Sequence, residues 1–158
     1  MTDGCPPDES AEAVTDALLV ASRVLVALSA RSIAHVDATI SISQFRILVL
    51  LSNVGAVNLT ALARLLDVPR SASGRTVERL VVAGLIDRRP HPASPRESVV
   101  ELTAQGRKVV ARVTAHRRGE IARIVGNMSA SERRGLVRAL RAFAAASGEP
   151  ALDVDDLL

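Results

Sequence analysis

The segment Arg70-Ser71-Ala72-Ser73-Gly74-Arg75, followed by Arg79, holds the side chains best placed in this sequence to do chemistry. It joins small residues to hydroxyls and guanidinium groups, so the backbone can come close to a partner while fixed donors point at its acceptors. Ser71 and Arg75 are four apart, hence on one face if the segment is helical. The chemistry this suits is noncovalent: hydrogen bonding to base edges and phosphate oxygens. Were the partner nucleic acid, Arg75 would be the first choice for a base reader, with guanine its natural target. Arg79, a turn further along, is placed either for phosphate or for plain solvation. Gly74 costs about 1 kcal/mol relative to alanine in a helix interior. Either close approach of DNA compensates that cost, or the glycine carries no functional meaning.

Covalent chemistry has little to work with. There is no Gly-rich phosphate loop, no Ser-His-Asp set and no pair of carboxylates on one helix face, so enzyme activity is not expected. His35, His91 and His116 are isolated and show no metal spacing, and no metal or cofactor is expected. Cys5 lies in an acidic lead with no basic neighbour to lower its pKa, which reads as an inert thiol rather than a redox sensor.

Charge is sharply segregated. Residues 1–16 and 147–158 hold nine of the 17 acids and no base, so 17–146 carries all 20 bases against eight acids, a net +12. A body this basic suits a polyanion, nucleic acid first, although ordinary solvation of an arginine-rich surface remains open from charge alone. The uninterrupted apolar stretches, such as Leu18 to Ala21 and Ile47 to Leu51, fall far short of the roughly 18 to 20 residues of a membrane span, so no membrane partner is expected. The acidic start lacks a signal-peptide pattern, and the expected location is the cytoplasm.

The elements that must position these residues follow from periodicity and caps. Val14, Ala17, Leu18, Ala21, Val24, Leu25 and Leu28 recur at helical steps, and Leu19, Val20 and Val26 widen the apolar face nearly all round. Such a helix belongs either in a core or in a dimer interface. Ser41-Ile-Ser-Gln44 forms a capping box for a helix that should end at Gly55. Asn58 should cap a short helix ending near Asp67, and a second short helix should run from Pro69 to Gly84. Two short helices joined by about three residues form a helix-turn-helix. Residues 85–89 and 98–102 read as strands around a Pro-rich turn from Pro90 to Arg96. Thr103 should cap a long helix, and Ser129-x-x-Glu132 should box the start of a last one.

This order resembles the MarR family of bacterial regulators over roughly residues 12 to 146. The resemblance is carried by Leu62-Ala63-Arg64-Leu65-Leu66-Asp67-Val68, Arg70-Ser71 through Arg75, Arg79-Leu80, Ala83-Gly84-Leu85-Ile86-Asp87-Arg88 and Leu102-Thr103-x-x-Gly106-Arg107. It implies a mainly α fold with a small β-hairpin wing: a winged helix-turn-helix over 41–103, dimerisation helices over 11–40 and 104–146, a flexible acidic lead at 1–10 and an acidic tail at 147–158. The implied function is a homodimeric repressor that binds a near-palindromic site on double-stranded DNA. Arg70, Ser71, Ser73, Gly74 and Arg75 would serve the major groove, Arg79 a phosphate along it, and Arg88 and Arg89 the phosphates beside the wing. Arg96 would reach the minor groove, although Ser94 stands where the family usually has an Asp that steadies that arginine. A small anionic effector is a further implication, with Arg23, His35 and Arg46 near the expected pocket between dimerisation helices and DNA-binding lobe. A winged-helix module that binds protein or RNA is the alternative reading.

Overall fold

The structure is a computed structural model and describes residues 10–147. Cys5 and nearly all of the acidic lead and tail expected at the two ends lie outside the described residues. Six helices and three short strands follow in the order α1 (Ala11–Val36), α2 (Ile42–Val54), β1 (Val57–Asn58), α3 (Leu59–Leu66), α4 (Arg70–Val82), β2 (Ile86–His91), β3 (Ser94–Leu102), α5 (Ala104–Gly126) and α6 (Ala130–Ser147).

The caps read from the sequence set these boundaries. Ser41 Oγ accepts from the Gln44 amide at 3.2 Å while Gln44 Oε1 accepts from the Ser41 amide at 2.8 Å, closing the box that starts α2. Asn58 Oδ1 accepts from Ala61 N at 2.7 Å and starts α3. Ser129 and Glu132 exchange the same reciprocal bonds ahead of α6, and the hydroxyl and amide of Ser129 hold the Glu132 carboxyl below its usual range.

Leu28, Ile33, Leu48, Leu62, Val77, Leu80, Ile86, Val100 and Val113 are buried, so one core joins the end of α1 and the first half of α5 to the helix-turn-helix and its sheet. Two features of that core fix the wing. Gly84 takes φ +72°, and the bonds Gly84 N to Val81 O and Leu85 N to Leu80 O close α4 in a Schellman turn that buries Leu85 against Leu80. Thr103 then ties both lobes together: its hydroxyl donates to Gly84 O at 2.7 Å, accepts from Gly106 N at 3.0 Å, and its amide bonds Leu85 O.

Gly106 packs so tightly here that a Cβ would overlap the Leu85 carbonyl oxygen. Gly106→Ala should therefore destabilise the fold by about 1–3 kcal/mol, the range for overpacking. Urea denaturation checks this, and an unchanged midpoint would contradict the packing described.

The sheet has the order β1-β3-β2 and is antiparallel throughout. One expectation needs correcting. The strands run further than expected, so the turn narrows from 90–96 to Pro92-Ala93. Pro90 is accommodated because β2 is an edge strand, where the missing N–H leaves no ladder bond unmade. β1, with Val57 opposite Val100, is too short to leave a periodic signal.

The outer faces are strongly apolar. On α1, Val14, Leu19, Val20, Val24, Leu25 and Val26 are exposed, and α6 exposes Leu136, Val137, Leu140 and Phe143 with no residue buried. By length and composition α1 is also long and apolar enough to cross a membrane, with a window of mean hydropathy 1.7. Counting unbroken apolar runs misses this because Asp16, Ser22 and Arg23 interrupt a helix that is apolar on average.

Candidate nucleic-acid interface

Within α4 the side chains divide by face. Val77 and Leu80 lock into the core, and Arg70, Ser71, Arg75 and Arg79 project outward. The four-residue step brings Ser71 and Arg75 together on one exposed ridge, with Arg79 a further turn along. None of these arginines has an ion pair among the described residues. The short link Asp67-Val68-Pro69 fixes the ridge against α3. Asp67 takes a left-handed φ of 53°, and Val68 N bonds Ala63 O at 3.1 Å, so the chain reverses sharply before Pro69.

Ser73 is the exception to the expected set. It is 2% exposed and its hydroxyl donates to the Arg70 carbonyl at 3.0 Å, so it turns inward and is not available to a partner on the ridge. The cause is register: 73, 77 and 80 form the buried stripe of α4. Gly74 is half-buried, and a Cβ there would make only ordinary contact, at 3.7 Å, with Leu59 Cδ2. The core therefore does not require a glycine at 74. Gly74→Ala should raise stability by about 0.5–1 kcal/mol through helix propensity, read as a higher thermal midpoint; a lower midpoint would contradict the space described.

The wing residues are less free than their types suggest. Arg88 pairs with Glu78 of α4 at 3.2 Å, and Arg89 pairs across the hairpin with Glu101 at 2.9 Å. Contact with phosphate would have to open these pairs, which exposed geometry makes inexpensive. Arg96 is exposed and has no ion pair among the described residues. The register jumps from Pro90↔Ser98 to His91↔Ser94, so residues 95–97 bulge out of the ladder and Arg96 stands clear of it. His91 steadies the tip, its Nδ1 accepting from Ala93 N at 3.1 Å.

The three residues expected around an effector do not converge. Arg23 is exposed on α1, about 18 Å of helix rise from His35. His35 instead stacks on His116 of α5, ring centroids 4.1 Å apart, while His116 Nδ1 lies 3.1 Å from the hydroxyl of the buried Ser32. Arg46 lies on α2 and borders a separate cavity against the inner side of α4. Among the described residues no group of three His, Cys, Asp or Glu side chains comes together as metal ligands.

The MarR family model matches residues 40–98, from the residue before the cap of α2 to the middle of β3. The crystal structure of RV1404 from Mycobacterium tuberculosis is 60% identical, with a TM-score of 0.83, covering 92% of this chain and 100% of that one. The chain belongs to the MarR family. Wild-type MarR from E. coli in its apo form is 22% identical, with a TM-score of 0.68, covering 82% of this chain and 95% of that one. A mutant of the E. coli protein, solved in complex with operator DNA, is 21% identical with a TM-score of 0.63, covering 82% of this chain and 92% of that one. Among curated proteins none matches this chain. The winged helix fold of a MarR-family transcriptional regulator is thus shared along most of the chain, with the small three-stranded sheet and six helices described above.

Proposed function

We propose that this MarR-family chain is a cytoplasmic homodimer that binds near-palindromic double-stranded DNA and represses transcription by occluding a promoter. The observation that carries the reading is the outer ridge of α4. Ser71 and Arg75 are exposed, and Arg75 has no ion pair among the described residues, at the N-terminal half of a helix whose other face is locked into the core. A recognition helix reads the major groove with such residues, and the solved relative bound to operator DNA supports carrying that use over. Arg79 and, once their ion pairs open, Arg88 and Arg89 contact phosphates, and Arg96 enters the minor groove.

Dimerisation is supported by the apolar side chains left exposed along α1 and along α6, since a monomer rarely leaves so many large apolar residues in water. Two modules held about 34–36 Å apart match successive major grooves on one side of the duplex. A small anionic effector that lowers DNA affinity completes the reading. Titrating a genomic promoter fragment with protein at about 50 and about 200 mM salt tests it. The expected outcome is saturable duplex binding that weakens steeply with salt. Salt-insensitive binding, or preference for single-stranded RNA, would sink it.

A further inference from the structure

We propose that α6 carries a second, sequence-independent site for the phosphate backbone of duplex DNA, formed by Arg134, Arg138 and Arg141. The choice of duplex as occupant rests on the DNA-binding reading above; the arginine stripe itself does not. Positive charge is not concentrated where bases would be read. Residues 41–103, the winged-helix span, hold eight bases against five acids, a net +3, whereas residues 104–147 hold ten bases against two acids, a net +8. A chain that met DNA through the winged helix alone would gain more from the reverse distribution.

The sequence of α6 sorts this charge by face. Leu136, Val137, Leu140 and Phe143 make one side apolar, while Arg134, Arg138 and Arg141, at steps of four and three, line the opposite side. All three arginines are exposed and none has an ion pair among the described residues. Both acids of α5 and α6 are already committed, Glu120 to Arg123 at 3.3 Å and Glu132 to the Ser129 amide at 2.7 Å. Like charges at these steps repel along a helix, and no acid among the described residues offsets that repulsion. Covering the apolar side of α6, as dimerisation does, leaves the stripe in water.

The spacing suits a polymer of regularly placed anions. From Arg134 to Arg141 the stripe spans about 10.5 Å of helix rise, and each strand of a duplex presents a phosphate about every 3.4 Å along its axis, so three guanidinium groups meet about three phosphates. A single small anion would engage one of them. Arginines on a helix that buries no residue have no scaffold to aim them at base edges, so the contact neutralises charge without reading sequence. α6 begins about 20 Å of rise beyond Val113, the last buried residue of α5, outside the core that holds α4. The stripe therefore retains the protein on bulk DNA when α4 has no site to read.

The test is fluorescence anisotropy of the full-length protein with a labelled random-sequence duplex, from about 50 to about 200 mM salt. The triple variant Arg134→Gln/Arg138→Gln/Arg141→Gln should lose at least about tenfold in affinity at the lower salt, and its salt slope should fall by about two to three per protomer. Circular dichroism and sedimentation should match the wild type, since the substitutions leave the apolar side of α6 intact. A charge-matched pair separates the stripe from net charge: Arg138→Gln/Arg141→Gln should lose several-fold more than Arg23→Gln/Arg31→Gln, whose two exposed arginines stand eight residues apart on α1. Equal losses in the two pairs would overturn the proposal. So would a random-duplex affinity and salt slope unaltered in the triple variant, which would leave the acidic ends of the chain as the occupant. Loss in the triple variant with none from Arg75→Ala or Arg79→Ala would uphold the α6 site while removing the reading of α4; the opposite pattern would keep α4 and remove α6.

Discussion

Arg75→Ala should leave the chain folded and self-associated but bring its affinity for a selected duplex down to its affinity for random duplex. Arg75 is exposed on the face of α4 opposite the buried stripe, so truncation removes a reader without opening a cavity. A bidentate arginine contact to guanine is worth about 1–3 kcal/mol of discrimination, and a symmetric dimer makes it twice, giving roughly a 30-fold to 10⁴-fold loss. Arg79→Ala provides the contrast. A phosphate contact carries no sequence information, so that variant should weaken all duplexes alike and flatten the salt dependence by about one phosphate per protomer. Fluorescence anisotropy with specific and scrambled duplexes separates the two. Equal losses on both duplexes from Arg75→Ala would remove the base-reading role assigned to it.

The second large effect concerns assembly. Leu25→Glu combined with Leu140→Glu should convert a species of twice 16.7 kDa into one of 16.7 kDa, because both leucines are exposed in the single chain and belong to the apolar faces of α1 and α6. Bivalent binding commonly exceeds the single-module affinity by about 10²–10⁴, so the variant should lose at least about a hundredfold on a palindromic duplex while Ser71 and Arg75 remain intact. Analytical ultracentrifugation gives the mass, and circular dichroism shows whether the helices survive. A wild-type protein that sediments as a monomer at micromolar concentration would remove the dimer altogether.

What is legible in the sequence depends on how local each signal is. The capping boxes at Ser41 and Ser129, the caps at Asn58 and Thr103 and the stop at Gly84 are each written within a few residues, and each stands in the structure at its expected place. The resemblance to the MarR family rests on an ordered set of such pieces, and the comparisons bear it out. Ser73 departs from expectation because composition says what a residue can do but not which way it points: the stripe through Val77 and Leu80 decides that. Arg88 and Arg89 look free in the sequence because their partners, Glu78 and Glu101, lie ten or more residues away. The pairing of β1 with β3 and the stacking of His35 on His116 are long-range contacts of the same kind. Arg23, His35 and Arg46 do not share one pocket, because the helices that carry them send each to a different environment. The cavity beside Arg46 has no sequence signature, since it is made by the gap between elements.

Selection of bound fragments from sheared genomic DNA by the purified protein, followed by sequencing, reads out both sequence preference and symmetry. Dimeric, sequence-specific binding predicts a single recurrent motif with two-fold symmetry and half-sites centred about one helical turn, roughly 10–10.5 base pairs, apart. Recovery of fragments with no shared motif, or of a motif without symmetry, would contradict it.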